Sequence, residues 1–254
     1  MIVDTFLFGW ELELLECRLY EMDSFVDVFV VVEADKTFQG TDKPLHFLEN
    51  RQLFRRWLDK IIYVKAELPH TNDPWLREYM SRENIKPALR NLPDDAIVIH
   101  GDVDEIVSKV AGHQFYDLID FEDTFVCEQS FYSMAVDWLY PITWHGSVVA
   151  RNSVIRSMSM TDVRNRRVSS RSIRCGWHFS WLGGPEMIRQ KASSFSHTED
   201  SVQSYIKEMG ERLYTEGYHV LGEKLIPVEI DDTYPNYIKE RRCPDYWLRP
   251  RIQS

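Results

Sequence analysis

The sequence contains no long hydrophobic run, and this absence narrows the class of protein. Its longest apolar stretch, residues 28–32, has the length of a strand, whereas a helix that spans a membrane needs about 20 apolar residues. The first residues also lack the basic start and the cleavage region of a signal peptide. The sequence therefore predicts a cytoplasmic protein without membrane contact.

Cysteine and basic charge are also scarce. The four cysteines are widely separated and form neither a CxxC motif nor a Cys/His zinc spacing, which argues against a zinc ribbon or a disulfide framework. The net charge of −10 disfavours a nucleic-acid acceptor, because binding to phosphate backbones needs a basic surface. Residues 151–174 are a local exception with seven arginines and one acid, Asp162, and this surface can still hold an anion.

The first half of the chain has the pattern of a parallel sheet. After a first strand at residues 2–8, continuous apolar runs predict strands covered on both faces, at residues 25–32, 60–64 and 96–99. Helical spacing predicts helices between these strands, at residues 11–22 and 75–92, and Pro87 is expected to kink or split the second helix. The alternation indicates βαβ units with right-handed crossovers.

The second half has a different pattern. Residues 124–136 and 147–150 predict strands of a mixed or antiparallel portion, and the Arg- and Ser-rich residues 164–174 predict a mobile loop. Two further helices are expected at residues 185–195 and 201–214. No internal repeat or linker is found, so residues 1–254 are predicted to form one domain, with a donor-binding half (about 1–106), an acceptor-binding half (about 107–226) and a C-terminal tail (227–254).

An acidic cluster follows one of the apolar runs. Asp102-Val103-Asp104 and Glu105 come directly after the strand at residues 96–99, and open α/β sheets bind ligands at the carboxyl ends of their strands. Two aspartates at i and i+2 can face one hard cation that bridges a diphosphate. Asp102 and Asp104 are therefore candidate ligands of Mn²⁺ or Mg²⁺, although a DxD tripeptide also arises by chance as a solvated turn.

Other charged residues are candidates for binding a nucleotide donor. Glu33 and Asp35 end the strand at residues 25–32 and can accept hydrogen bonds from a ribose or a base. Arg77 and Arg82 lie on the helix before the acidic strand, where an arginine can bind a diphosphate through paired hydrogen bonds. Asp102 is a candidate for donor binding through the cation. A polar strand end and a solvated helix face are the structural alternatives.

The segment at residues 175–186 combines aromatic, glycine and acidic residues. Trp177 and Trp181 offer flat surfaces that can stack on an acceptor sugar, and Glu186, in the first turn of a predicted helix, is a candidate general base. Alternatively, Glu186 has only a structural role, because a negative charge is favourable at the N-terminus of a helix. His178 and His197 are candidate third ligands of the metal.

Several motifs together resemble one enzyme family. They resemble glycosyltransferase family 17 over about residues 3–200, in the segments Asp4–Phe8 with Glu11–Leu15, Val30–Glu33, Gly101–Ile106, Trp177–Ser180 and Ser194–His197. The resemblance implies a GT-A-type α/β fold, with a Rossmann-like, mostly parallel central sheet flanked by helices and a mixed or antiparallel C-terminal portion.

The resemblance also implies an activity. It implies an inverting, metal-dependent transfer of a sugar, N-acetylglucosamine in the best-known members, from a nucleotide-diphosphate donor such as a UDP-sugar to a hydroxyl acceptor such as a glycan. It places Asp102 and Asp104 at the metal and diphosphate. Unlike the animal enzymes, this sequence shows no anchor or export signal, which favours a bacterial or bacteriophage origin. A metal-dependent phosphoesterase and a non-catalytic carbohydrate-binding protein are the alternatives.

Overall fold

The computed structural model describes residues 1–196 and 198–250, and its centre is a single twisted sheet. The strands are β1 (Ile2–Phe8), β2 (Val28–Ala34), β3 (Ile61–Ala66), β4 (Ile97–Asp102), β5 (Glu105–Val107), β6 (Thr124–Ser133), β7 (Trp138–Arg151), β8 (Arg171–Ser180) and β9 (Ile226–Pro227). Their order is β3-β2-β1-β4-β7-β6-β8-β5, and β9 pairs with β7. Strands β3, β2, β1 and β4 are parallel, as are β6 and β8, whereas β7 runs antiparallel to β4 and β6. The Rossmann-like parallel sheet with a mixed second part, expected of a GT-A-type fold, is confirmed.

Helices cover both faces of the sheet. They are α1 (Leu12–Met22), α2 (His46–Asn50), α3 (Pro74–Glu83), α4 (Lys86–Leu89), α5 (Lys109–Ile119), α6 (Asn152–Ser157), α7 (Met160–Asn165), α8 (Gly184–Ala192), α9 (Asp200–Met209), α10 (Arg212–Glu216) and α11 (Asn236–Lys239). In the described part of the chain, no helix is both long and apolar enough to cross a bilayer.

Alternation along the strands explains why both faces are apolar. Phe29 and Val31 of β2 pack with α1 and α5, while Val30 and Val32 pack with α4, α6 and α7. Successive side chains of a strand point to opposite faces, so a continuous apolar run supplies two cores at once. A third apolar cluster joins Phe131 of β6 to α8, α9 and α10.

The sequence predicted the first half of the chain well. The predicted helix at residues 75–92 is split as expected, because α3 ends at Glu83 and Pro87 lies in the first turn of α4. Asp73 caps α3 by accepting hydrogen bonds from the backbone N–H groups of Trp75 and Leu76. This cap fixes the start of the helix that carries Arg77 and Arg82.

Three predictions in the second half differ from the structure. Residues 164–174 form no long loop: they complete α7, make a 3-10 turn at Arg166–Val168 and enter β8. The predicted helix at residues 201–214 is two helices, because Gly210 has a φ of 51° and separates α9 from α10. Strand β7 also begins at Trp138, well before the predicted residues 147–150.

Candidate active site

The acidic cluster lies in a large cleft at the carboxyl ends of the parallel strands. The cleft has a volume of about 640 Å³ and is lined by Asp102, Asp104 and Arg82, together with residues that follow β1 and β2. Ligand-binding pockets commonly have about 300–1,000 Å³. The cleft is therefore large enough for a substrate.

A buried arginine of α1 holds the acidic loop in place. Arg18 is fully buried, and its guanidinium donates two hydrogen bonds of 2.7 Å to the carboxylate of Asp4. Its Nη1 also donates to the backbone carbonyls of Asp102 (2.9 Å) and Glu105 (2.5 Å). These contacts fix the backbone on both sides of Asp104.

The carboxylate of Asp102 is surrounded by arginines. Its Oδ1 accepts from Arg82 Nη2 (2.8 Å) and Arg164 Nη1 (3.0 Å), and its Oδ2 accepts from Arg164 Nη1 (2.8 Å). Burial acts to raise the pKa of Asp102, but the positive charges of Arg164, Arg82 and Arg167 outweigh it and hold the pKa well below its ordinary value. Asp102 is thus ionised, and both of its oxygens are engaged.

Glu105 has a structural role next to Asp102 and its arginines. It is fully buried, and its carboxylate accepts bonds from Arg167 Nη2 at 2.7 and 2.8 Å, from Trp144 Nε1 at 3.0 Å and from the backbone N–H of Asp102 at 3.1 Å. A Cβ added at Gly101 would lie 2.5 Å from Glu105 Oε2, so only glycine permits this approach. Glu105 stabilises the turn, and Asp104 is the neighbouring carboxylate that lines the cleft.

Asp104 faces a histidine and a lysine. Its Oδ1 lies 3.4 Å from His178 Nε2, and its Oδ2 accepts from Lys191 Nζ at 3.2 Å. Burial acts to raise the pKa of Asp104, but Lys191 and His178 outweigh it and lower the pKa. The pairing of Glu105 with His178 across β5 and β8 brings His178 to this position.

His178 is held by aromatic rings. It stacks on Trp144, with 4.4 Å between the ring centroids, and lies 4.5 Å from the ring centroid of Phe131. The ring is 5% exposed, so it has little freedom to turn. His178 is one of the predicted metal ligands that the structure brings next to Asp104; His197 lies outside the described residues.

Among the predicted donor-binding residues, Arg82 has buried N–H groups that lack a hydrogen-bond partner in the described residues. It is 4% exposed, it lines the cleft, and Glu78 and Asp102 both accept from its Nη2. Its Nε and Nη1 have no hydrogen-bond partner anywhere in residues 1–196 and 198–250. Buried donors left without a partner are costly, so these groups are suited to an incoming anion.

The structure places three other predicted donor-binding residues away from the acidic cluster. Glu33 accepts from the backbone N–H groups of Phe47 and Leu48 at the start of α2, which is a structural role. Asp35 forms an ion pair of 2.9 Å with Lys65, and Arg77 donates to the carbonyls of Phe38 and Thr71. Glu33, Asp35 and Arg77 do not belong to the described lining of the cleft, and their contact with a donor stays a prediction.

The predicted acceptor-binding tryptophans have different positions. Trp181 lines the large cleft and also a second cavity of about 250 Å³. Trp177 packs against the core, and its Nε1 donates to the carbonyl of Thr233 at 3.0 Å. Trp181 is thus placed to meet a substrate, whereas Trp177 is not among the residues that line either cavity.

Glu186, the predicted general base, is exposed in the first turn of α8. It is not among the described residues that line either cavity. By contrast, Glu11 lines both cavities, as do Trp10, Trp181 and Lys191. The role of Glu186 stays a prediction, and Glu11 is a carboxylate that the sequence analysis did not select.

The residues around Asp104 fit a divalent cation in part. Two donors bound to one ion at about 2.1 Å lie roughly 3.0–3.5 Å apart, and the separation of Asp104 Oδ1 from His178 Nε2 is 3.4 Å. Within the described chain, no cluster of three or more His, Cys, Asp or Glu side chains has a metal-binding arrangement. Mg²⁺ commonly takes one or two protein ligands and completes its shell with phosphate and water, so this pair suits a cation that arrives with a diphosphate.

The comparisons with known proteins agree with this geometry. The model of glycosyltransferase family 17 matches residues 1–214. The chain belongs to glycosyltransferase family 17.

The chain is also similar to curated relatives and to a solved structure. It is 30% identical over 118 residues to the beta-1,4-mannosyl-glycoprotein 4-beta-N-acetylglucosaminyltransferases of Rattus norvegicus and Homo sapiens, a match that covers 42% of this chain and 22% of each relative. The match thus spans about a fifth of the length of these relatives. A structure of S. aureus TarS is 12% identical, covers 81% of this chain and 69% of that chain, and has a TM-score of 0.40.

Proposed function

We propose that the enzyme transfers N-acetylglucosamine from a UDP-sugar to a hydroxyl group of a glycan, with inversion and with a divalent cation. The name of the curated relatives supports the sugar and the glycan acceptor. The arrangement of Asp104 and His178 supports the cation. A nucleotide-sugar donor follows from the family, and the structure contributes the residues that would hold it.

The unpartnered donors of Arg82 carry the proposal. Arg82 lies beside Asp102 in the cleft, and its Nε and Nη1 lack a partner in the described part of the chain. Arg164, which is more exposed, lies on the other side of the same carboxylate. Arginine binds phosphate oxygens through paired, charge-assisted hydrogen bonds, so the two guanidinium groups can together hold a diphosphate beside Asp102.

The chain's own residues would assist the departure of the nucleotide. Arg82, Arg164 and Lys191 place positive charge where the leaving diphosphate develops negative charge, and the pairs with Asp102 and Asp104 hold these groups in position beforehand. A cation held by Asp104 and His178 would neutralise the same diphosphate as a Lewis acid. Trp181 offers its ring to the acceptor sugar at the wall between the two cavities.

The first test is a calorimetric screen of UDP, GDP, CDP, dTDP and their sugars with the wild type, Arg82→Met and the control Arg90→Met. We expect one nucleoside diphosphate to bind, and we expect Arg82→Met to weaken it at least about tenfold, because hydrogen bonds between charged groups contribute about 1.5–3 kcal/mol. Arg90 is exposed and does not line the cleft, so its variant should bind as the wild type does.

Two results of companion assays, one of glycan binding and one of sugar-phosphate release, would contradict the proposal. Glycan binding without nucleotide binding would favour a carbohydrate-binding protein. Release of sugar phosphate at the same rate with and without an acceptor would favour a phosphoesterase.

A second experiment assigns the group that accepts the acceptor's proton. We expect Glu11→Gln to lower kcat at least about 100-fold, the scale of general base catalysis, because Glu11 lies on the wall that the two cavities share. Glu186→Gln is the matched variant, and it should retain kcat because Glu186 is exposed outside both cavities. Donor affinity should stay within a few-fold in both variants. The reverse pattern would assign the role to Glu186 and require α8 to move.

A further inference from the structure

Lys191 is the cation that pairs with Asp104 in the absence of substrates. Its Nζ lies 3.2 Å from Asp104 Oδ2, while Asp104 Oδ1 lies 3.4 Å from His178 Nε2. The ammonium group also lies 5.5 Å from the ring centroid of Trp181. Lys191 therefore stands beside the two atoms that suit a divalent cation.

The neighbouring charges leave little attraction for a cation alone. Asp102 is paired with Arg82 and Arg164, Glu105 with Arg167, and Asp104 with Lys191. Each carboxylate of the acidic cluster thus already has a positive partner. A second positive charge a few ångströms from Lys191 would be repelled by its ammonium group.

The side chain of Lys191 has room to move, and a bound diphosphate would give it a new anionic partner. It lines the large cleft and the second cavity, so its four-carbon stem can swing without disrupting the core. A diphosphate in the cleft offers it new negative charge. Lys191 would exchange Asp104 for the phosphate oxygens, and Asp104 would then be free to bind the metal.

We propose that Lys191 occupies the place of the divalent cation beside Asp104 and His178 until a nucleoside diphosphate draws it away, so that cation and donor bind together. This inference rests on the proposed function for the identity of the donor. The exchange at Asp104 rests on the geometry of Lys191 alone.

The test is titration of Mn²⁺ alone, followed by electron paramagnetic resonance, with the wild type, Lys191→Gln, Lys191→Arg and the control Lys207→Gln. We expect Lys191→Gln to bind Mn²⁺ at least about tenfold more tightly than the wild type, because it removes a positive charge beside the ligands. Lys191→Arg keeps the charge and should not gain affinity, and neither should Lys207→Gln, since Lys207 is exposed on α9. With UDP present, the difference in Mn²⁺ affinity between Lys191→Gln and the wild type should become smaller.

The outcomes separate this inference from the proposed function. Equal affinities of folded wild type and Lys191→Gln for Mn²⁺ alone would overturn it, and so would tighter binding by Lys191→Gln that persists after Asp104→Asn is added. If Lys191→Gln gains affinity but no nucleotide binds to any variant, Lys191 does occupy the place of the cation, and the proposed nucleotide donor fails.

Discussion

Replacing Asp104 with asparagine is expected to lower sugar transfer at least about 1,000-fold while the fold remains intact. Asp104 is the carboxylate that faces the cleft with His178 and Lys191, and the amide cannot supply the negative charge that holds a cation against a diphosphate. Steady-state transfer with the nucleotide sugar selected by the screen measures the loss, and circular dichroism checks the fold. A chelator in excess should lower wild-type activity to a similar degree.

Asp102→Asn is the matched comparison. Both oxygens of Asp102 accept bonds from arginines, so its loss should weaken donor binding more than the binding of Mn²⁺ alone. Asp104→Asn should show the opposite preference. An Asp104→Asn enzyme with near wild-type turnover, or full activity in a chelator, would count against the metal-assisted mechanism.

Arg18→Met is expected to destabilise the protein by about 3–5 kcal/mol, the usual cost of breaking a buried ion pair. The change leaves the carboxylate of Asp4 buried without its cation and removes the hydrogen bonds to the carbonyls of Asp102 and Glu105. Denaturant unfolding measures the free energy. Donor affinity should fall as well, because the acidic loop loses its support.

A double variant separates the effect of the buried ion pair on stability from the effect of the acidic loop on donor affinity. In Arg18→Met with Asp4→Leu, no uncompensated charge remains, so much of the lost free energy of unfolding should return. Donor affinity should not return, since the carbonyls of the acidic loop still lack Arg18. A stability of Arg18→Met within about 1 kcal/mol of the wild type would show that the buried pair is not a major contributor.

The sequence predicted the parallel half of the fold because its signals are local. Each central strand is a continuous apolar run, and Pro87 marks the break between α3 and α4 within one turn. The sequence also selected Asp102, Asp104, Arg82, His178 and Trp181, which all line the cleft. Their position at strand ends or beside the acidic strand was visible without a structure.

The remaining site residues could not be found in this way, because their partners are distant in the sequence. Arg164 and Arg167 bind carboxylates 62 residues earlier in the chain, and Lys191 binds one 87 residues earlier. An arginine-rich stretch with few apolar residues has the composition of a loop. The stretch has regular structure because its arginines bind Asp102 and Glu105, which are distant in the sequence. The concentration of arginines was the one feature of the sequence that pointed to this role.

The same distances have a consequence for the order of folding. Contacts between residues far apart in the chain must overcome a larger loss of chain entropy, so they tend to form late. The unit formed by β1, α1 and β2 can assemble from neighbouring segments, whereas the ion pairs at Asp102 and Asp104 need α7 and α8 to be in place. A refolding chain would regain the unit of β1, α1 and β2 before it could bind a donor, and a chain still emerging from the ribosome would hold Asp104 without its lysine partner until residue 191 arrives.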